Sequence, residues 1–105
     1  MKYDYRVEDK GDYALVILPE KVMIPHSDNF EPAMREAYEQ GHKTIILDCT
    51  DLQMFDTAGI AYVVAYQKKM KNRGGEIKMI NVGNDYVKDM FRTIEMNKLV
   101  SIEEI

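Results

Sequence analysis

Phe55-Asp56-Thr57-Ala58-Gly59-Ile60 sets an acid, a hydroxyl and a glycine where a buried strand gives way to a helix, and the elements on either side of it decide the fold. Upstream, Thr44-Ile45-Ile46-Leu47 is a short apolar, β-branched run that fits a buried strand, followed by the polar connection Asp48-Cys49-Thr50-Asp51. Downstream, residues 60–70 read as a helix. Its first N–H groups and the positive end of its dipole favour an anion, so a phosphate on Thr57 has local support. The competing reading is ordinary capping. Asp and Thr accept hydrogen bonds from first-turn N–H groups, a contribution of about 1 kcal/mol.

Working outward, Tyr3-Asp4-Tyr5-Arg6-Val7 alternates like an edge strand, and the turn Asp9-Lys10-Gly11-Asp12 leads into the more apolar strand Tyr13-Ala14-Leu15-Val16-Ile17-Leu18. The two predict a hairpin. A loop then runs from Pro19 through Pro25. Phe30, Ala33, Met34, Ala37 and Tyr38 follow helical spacing, with Ser27 or Asp28 as N-cap, Pro32 in the first turn and Gly41 as the stop. Beyond residue 70, Asn72-Arg73-Gly74-Gly75 breaks the second helix before a strand over residues 76–82. Val87, Met90, Phe91 and Ile94 give a third helix capped by Asn84 or Asp85, and Leu99-Val100-Ser101-Ile102 reads as a short last strand. Strand and helix alternate, which implies an α/β fold: a small mixed, mostly parallel β-sheet with right-handed crossovers and the helices packed mainly on one face.

With 105 residues the chain is read as a single domain, 1–105, with one core. A net charge of -4 argues against a nucleic-acid surface, which needs a basic patch; the cluster Lys68, Lys69, Lys71 and Arg73 reads as the solvated, dipole-complementing end of a helix. The single cysteine, Cys49, excludes an intramolecular disulfide and fits a reducing compartment. No apolar run reaches the length of a membrane span and the start lacks a signal-peptide core, so a cytoplasmic location without membrane insertion is expected.

Chemistry has little to work with. His26 and His42 stand far apart without metal-ligand spacing to Cys49, so neither a metal site nor a cofactor is expected. No catalytic constellation is recognisable and enzyme activity is not expected. Of the eight methionines, Met34, Met70, Met79 and Met90 are assigned to the core; Met23 and Met54, beside the motif, are candidate contacts. Tyr62 could pack inward or face a partner.

Taken in order, Asp56-Thr57-Ala58-Gly59, then Arg73-Gly74-Gly75-Glu76, then Val87-Lys88-Asp89-Met90-Phe91 resemble the STAS domain of bacterial anti-sigma factor antagonists over nearly the whole chain. The resemblance implies the STAS fold and a partner-switching role in transcription regulation and signal transduction. An anti-sigma factor or related regulatory Ser/Thr kinase would be the partner, with a phosphatase left open as a third component. In such proteins the hydroxyl after the Asp of the motif is phosphorylated, a position held here by Thr57. Ala58 replaces a second hydroxyl frequent in the family, and Met23 occupies the place of an acidic residue in the loop Pro19-Glu20-Lys21-Val22-Met23-Ile24-Pro25. Both departures also suit an alternative, a STAS adaptor subunit of a transporter or signalling complex that is never phosphorylated. The expected contact surface is Lys21, Met23 and His26 with Met54, Asp56, Thr57, Ala58, Gly59 and Tyr62.

Overall fold

Burial alternates residue by residue along three strands, β2 (Ala14–Ile17), β4 (Thr44–Asp48) and β6 (Glu76–Ile80), in the computed structural model, which describes residues 4–23 and 29–103. Ala14, Val16, Ile45, Leu47, Ile77 and Met79 are buried, whereas Leu15, Ile17, Ile46 and Ile80 between them are only half-buried. One sheet face is therefore packed and the other is partly open. The edge strand β1 (Arg6–Asp9) pairs antiparallel with β2; β4, β6 and the terminal β7 (Ser101–Ile102) follow in parallel, giving the order β1-β2-β4-β6-β7.

The helices α1 (Phe30–Glu39), α2 (Thr57–Asn72) and α3 (Asp85–Thr93) each lie in a crossover between neighbouring parallel strands. Every crossover steps the same way across the sheet, so a uniform right hand puts all three helices on the same face. Phe30, Ala33, Met34 and Ala37 of α1, Val63, Tyr66 and Met70 of α2, and Val87 and Phe91 of α3 close over the packed face in one core. The mostly parallel mixed sheet expected from the alternation is thus present.

Boundaries differ from the sequence expectation where local geometry intervenes. The first strand is Arg6–Asp9, later than Tyr3–Val7; Tyr3 itself lies outside the described residues. Asp9 Oδ1 accepts from the Gly11 amide at 2.9 Å and meets His42 Nε2 at 2.8 Å, tying the hairpin turn to the chain that enters β4. These two hydrogen bonds, the Gly11 amide foremost, hold the Asp9 carboxyl below its usual range. The N-cap of α1 is Asn29, without a side-chain cap bond; Ser27 and Asp28, the expected caps, lie outside the described residues. Pro32 falls in the first turn and Gly41, at φ +83°, follows the helix end, as expected. β6 stops at Ile80, short of Val82, because Asn81 turns the backbone left-handed at φ +62°. Asn84 caps α3, accepting from the Val87 amide at 3.0 Å. Met34, Met70 and Met79 are fully buried and Met90 packs half-buried against the core, but Ile94 caps α3 exposed and does not share the apolar face. A short 3₁₀ turn, Met96–Lys98, precedes β7 and was not legible in the periodicity; its Met96 is buried.

The basic cluster also departs from expectation at one position. Arg73 is half-buried: its guanidinium donates to the Tyr38 and His42 carbonyls at 2.8 and 2.9 Å and lies 4.0 Å from the centre of the Tyr38 ring. It therefore satisfies carbonyls at the end of α1 and fastens the end of α2 to it. Gly75 beside it is required by a close approach. A Cβ built there stands 2.3 Å from the backbone carbonyl oxygen of Lys43, which also accepts the Glu76 amide at 2.8 Å. Backbone cannot swing aside as a side chain can, so Gly75→Ala is expected to cost about 2–3 kcal/mol. Equilibrium urea unfolding checks this, and a midpoint equal to wild type would refute it.

Candidate functional site

The loop after β2 contains a two-residue strand, β3 (Lys21–Val22), that runs parallel to β5 (Met54–Phe55) in a small separate sheet, with Lys21 opposite Met54 and Val22 opposite Phe55. The Glu20 carbonyl accepts from the Gln53 and Met54 amides at 2.7 and 3.1 Å, and the Val22 carbonyl from the Asp56 amide at 3.0 Å. This ladder clips the expected contact loop to the motif. Met23, next along the chain from Val22, is thereby carried to the entrance of α2.

From there the motif is built one residue at a time. α2 begins at Thr57, three residues earlier than expected, and Asp56 is its N-cap in an extended conformation. Asp56 Oδ1 accepts from the Gly59 amide at 2.9 Å, so the capping reading of Asp56 holds. The capping reading of Thr57 does not: it is the first helical residue and its side chain is exposed. Ala58 is half-buried. Gly59 is buried because the first turn lies directly on the small sheet; a Cβ there would come within 3.0 Å of both Phe55 Cε1 and Val22 Cγ1. Removing the cap with Asp56→Ala should cost about 1 kcal/mol, and Asp56→Asn should keep most of it. Chemical denaturation of the two variants side by side measures the difference; equal midpoints would show that the cap contributes nothing.

Lys21, Met23 and Met54 are half-buried around this entrance. Tyr62 turns its ring edge-on to Phe30 at 6.3 Å between centroids, which resolves its two readings mainly towards packing, although it too stays half-buried. His26 lies outside the described residues. Beneath the surface Phe55 meets Phe30 and Phe91 edge-on, at 6.0 and 5.8 Å, so the ground under α2 is braced from both α1 and α3. Val22 and the β3–β5 pairing are the parts that sequence reasoning missed. Val22 opens a short apolar run, Val22-Met23-Ile24, that points to no particular pairing partner, and a strand of two residues carries almost no periodic signal.

Among the described residues, two further groups that could do chemistry, Cys49 and Tyr66, are drawn into the packing. Cys49 is buried, and burial foremost pushes its thiol far up, which disfavours the thiolate form that nucleophilic or redox chemistry uses. The Tyr66 hydroxyl donates to Glu31 between α2 and α1. Among the described residues no cluster of three His, Cys, Asp or Glu side chains is placed to hold a metal ion, and no helix is long and apolar enough to cross a membrane.

Residues 5–104 match the STAS domain family. No curated protein matches the chain. Among solved structures, an anti-sigma factor antagonist from Mycobacterium paratuberculosis is similar at TM-score 0.83 and 13% identity, with 97% of this chain and 86% of that one covered. The anti-sigma factor antagonist SpoIIAA in its unphosphorylated form is similar at TM-score 0.72 and 14% identity, covering 97% and 89%. SpoIIAA from Bacillus in its phosphorylated form is similar at TM-score 0.70 and 13% identity, covering 96% and 92%.

Proposed function

The chain belongs to the STAS domain family, and from that premise we propose that it is a single-domain, anti-sigma factor antagonist-like regulator whose binding is switched off by phosphorylation of Thr57. It engages an anti-sigma factor or a related regulatory Ser/Thr kinase in the cytoplasm through the entrance of α2. The observation that carries the reading is an exposed hydroxyl on the first residue of α2, directly after a cap that is already committed to its own helix. A kinase can reach such a hydroxyl without unfolding the turn. The solved SpoIIAA, a structural neighbour, exists in phosphorylated and unphosphorylated forms, which supports the same chemistry here.

The contact surface proposed is Lys21, Met23, Met54, Asp56, Thr57, Ala58 and Tyr62, with Gly59 buried beneath it as support, to which His26 is added from the sequence alone. Its centre is more apolar than a phosphate-binding patch, since Met23 and Met54 flank the motif. That composition favours a protein contact, where flexible, polarisable methionines adapt to a partner. A phosphate on Thr57 would put roughly -1.5 to -2 charges into that surface beside Asp56.

Intact-mass analysis of the protein isolated from its native cells tests the proposal, together with fragmentation that assigns the site. A phosphorylated fraction carrying its group on Thr57 is expected. Its absence under every growth condition, with partners still captured, would leave the constitutive STAS adaptor as the reading.

A further inference from the structure

Away from the α2 entrance, a cavity of about 260 Å³ opens between α3, the 3₁₀ turn and β7. Its floor is apolar: Val82 and Phe91 are buried and Ile102 is half-buried. Its rim is charged by Lys88 and Arg92 from successive turns of α3 and by Glu103 beyond β7. The three charges are not equivalent. Arg92 is engaged by Asp89 at 3.1 Å, whereas the half-buried Lys88 has no ion-pair or side-chain hydrogen-bond partner among the described residues. Glu103, on the same rim, is exposed and forms no ion pair with Lys88, so the acid group of a ligand can reach the Lys88 ammonium without displacing a partner.

We propose that this cavity binds a small monoanionic molecule with an apolar body, its acid group on Lys88 and its body against Val82, Phe91 and Ile102. The volume lies just under the roughly 300–1,000 Å³ usual for ligand pockets, which restricts the occupant to something small. Glu103 on the same rim opposes negative charge, so a ligand with a single acid group, held on Lys88, is preferred over a phosphate ester or dicarboxylate. The site stands on its own residues and does not depend on Thr57 or on the proposed partner.

Octanoate is the probe, titrated into the ¹⁵N-labelled full chain and followed by amide chemical shifts, with octanol as the neutral counterpart. Saturable shifts centred on Val82, Phe91 and Ile102 are expected, with a Kd of about 1 mM for so small a ligand. Octanol should bind at least fivefold more weakly, and Lys88→Gln should weaken octanoate by a similar factor while the spectrum elsewhere stays that of wild type. Three results would overturn the proposal: no saturable shifts at these residues, octanol binding as tightly as octanoate, or Lys88→Gln binding octanoate unchanged. The octanol comparison uses wild type alone, so it decides the point even if the variant folds poorly.

Discussion

Thr57→Glu is expected to weaken binding to the proposed anti-sigma factor or kinase partner by about a hundredfold or more while leaving the circular dichroism spectrum and the unfolding midpoint close to wild type. The two halves of that result have separate physical causes. Within the free protein the new carboxylate sits on the first residue of α2, where the dipole and first-turn N–H groups favour negative charge, so the fold should gain or lose only about 0.5 kcal/mol. In a complex the same carboxylate would be desolvated next to Asp56, on a surface otherwise flanked by Met23 and Met54. An unpaired interfacial charge costs a few kcal/mol, and about 2.8 kcal/mol corresponds to a hundredfold. Thr57→Ala, which adds no charge, should bind as wild type does. Calorimetric titration of the purified partner against the three proteins reads the effect; equal affinity for Thr57→Glu and wild type would sink the switch.

The largest effect on stability is expected at Phe30, outside the motif but under it. Phe30→Ala should lower the free energy of unfolding by about 3–5 kcal/mol, a substantial part of the roughly 5–15 kcal/mol typical of a domain. Its ring is 0% exposed, stacks on Tyr5 at 5.4 Å and meets Phe55 and Tyr62 edge-on at 6.0 and 6.3 Å. Truncation would remove all three contacts and open a cavity bounded by α1, the small sheet and α2, elements too tightly linked to collapse into it. Phe30→Leu, which keeps most of the volume, should cost less than about half as much. Urea unfolding of both variants checks the ranking, and a Phe30→Ala loss under about 1 kcal/mol would show that the aromatic cluster is not what supports the α2 entrance. Phe55 and Tyr62 lean on Phe30, so partner affinity should fall in this variant even where it remains folded.

How far the site could be read from the chain differs residue by residue. Asp56 was legible as a cap because the pattern acid, hydroxyl, small residue, glycine before a helical run has a local cause. Thr57 was legible as a hydroxyl beside that cap, but its exposure depends on α2 beginning at Thr57, a boundary that periodic apolar positions starting at Ile60 do not reveal. Arg73 shows the opposite failure. Its neighbours Lys68 and Lys71 are exposed, as charge patterning suggests, yet its own guanidinium is drawn inward by two carbonyls of a chain segment more than thirty residues away. Tyr62 carried two open readings; the Phe30 ring of α1 gives it a packing contact, while its half-burial keeps it in the proposed contact surface.

Local physics acting along the chain determined the elements themselves: the alternation of strand and helix, a cap at Asp56 and another at Asn84 or Asp85, the stop at Gly41, and from the repeated crossovers a mostly parallel sheet covered mainly on one face. These follow from hydrophobic period and terminal hydrogen bonding, interactions that reach only a few residues. The tertiary structure alone decided that β3 pairs with β5, that Gly59 lies on Val22, that Gly75 touches the Lys43 carbonyl, and that Ile102 and Glu103 join Lys88 around one cavity. Each of those joins segments distant in sequence through a close approach or a two-residue ladder. A contact of that kind leaves no periodic trace in the chain, because its energy comes from packing that exists only once the sheet and helices have closed together.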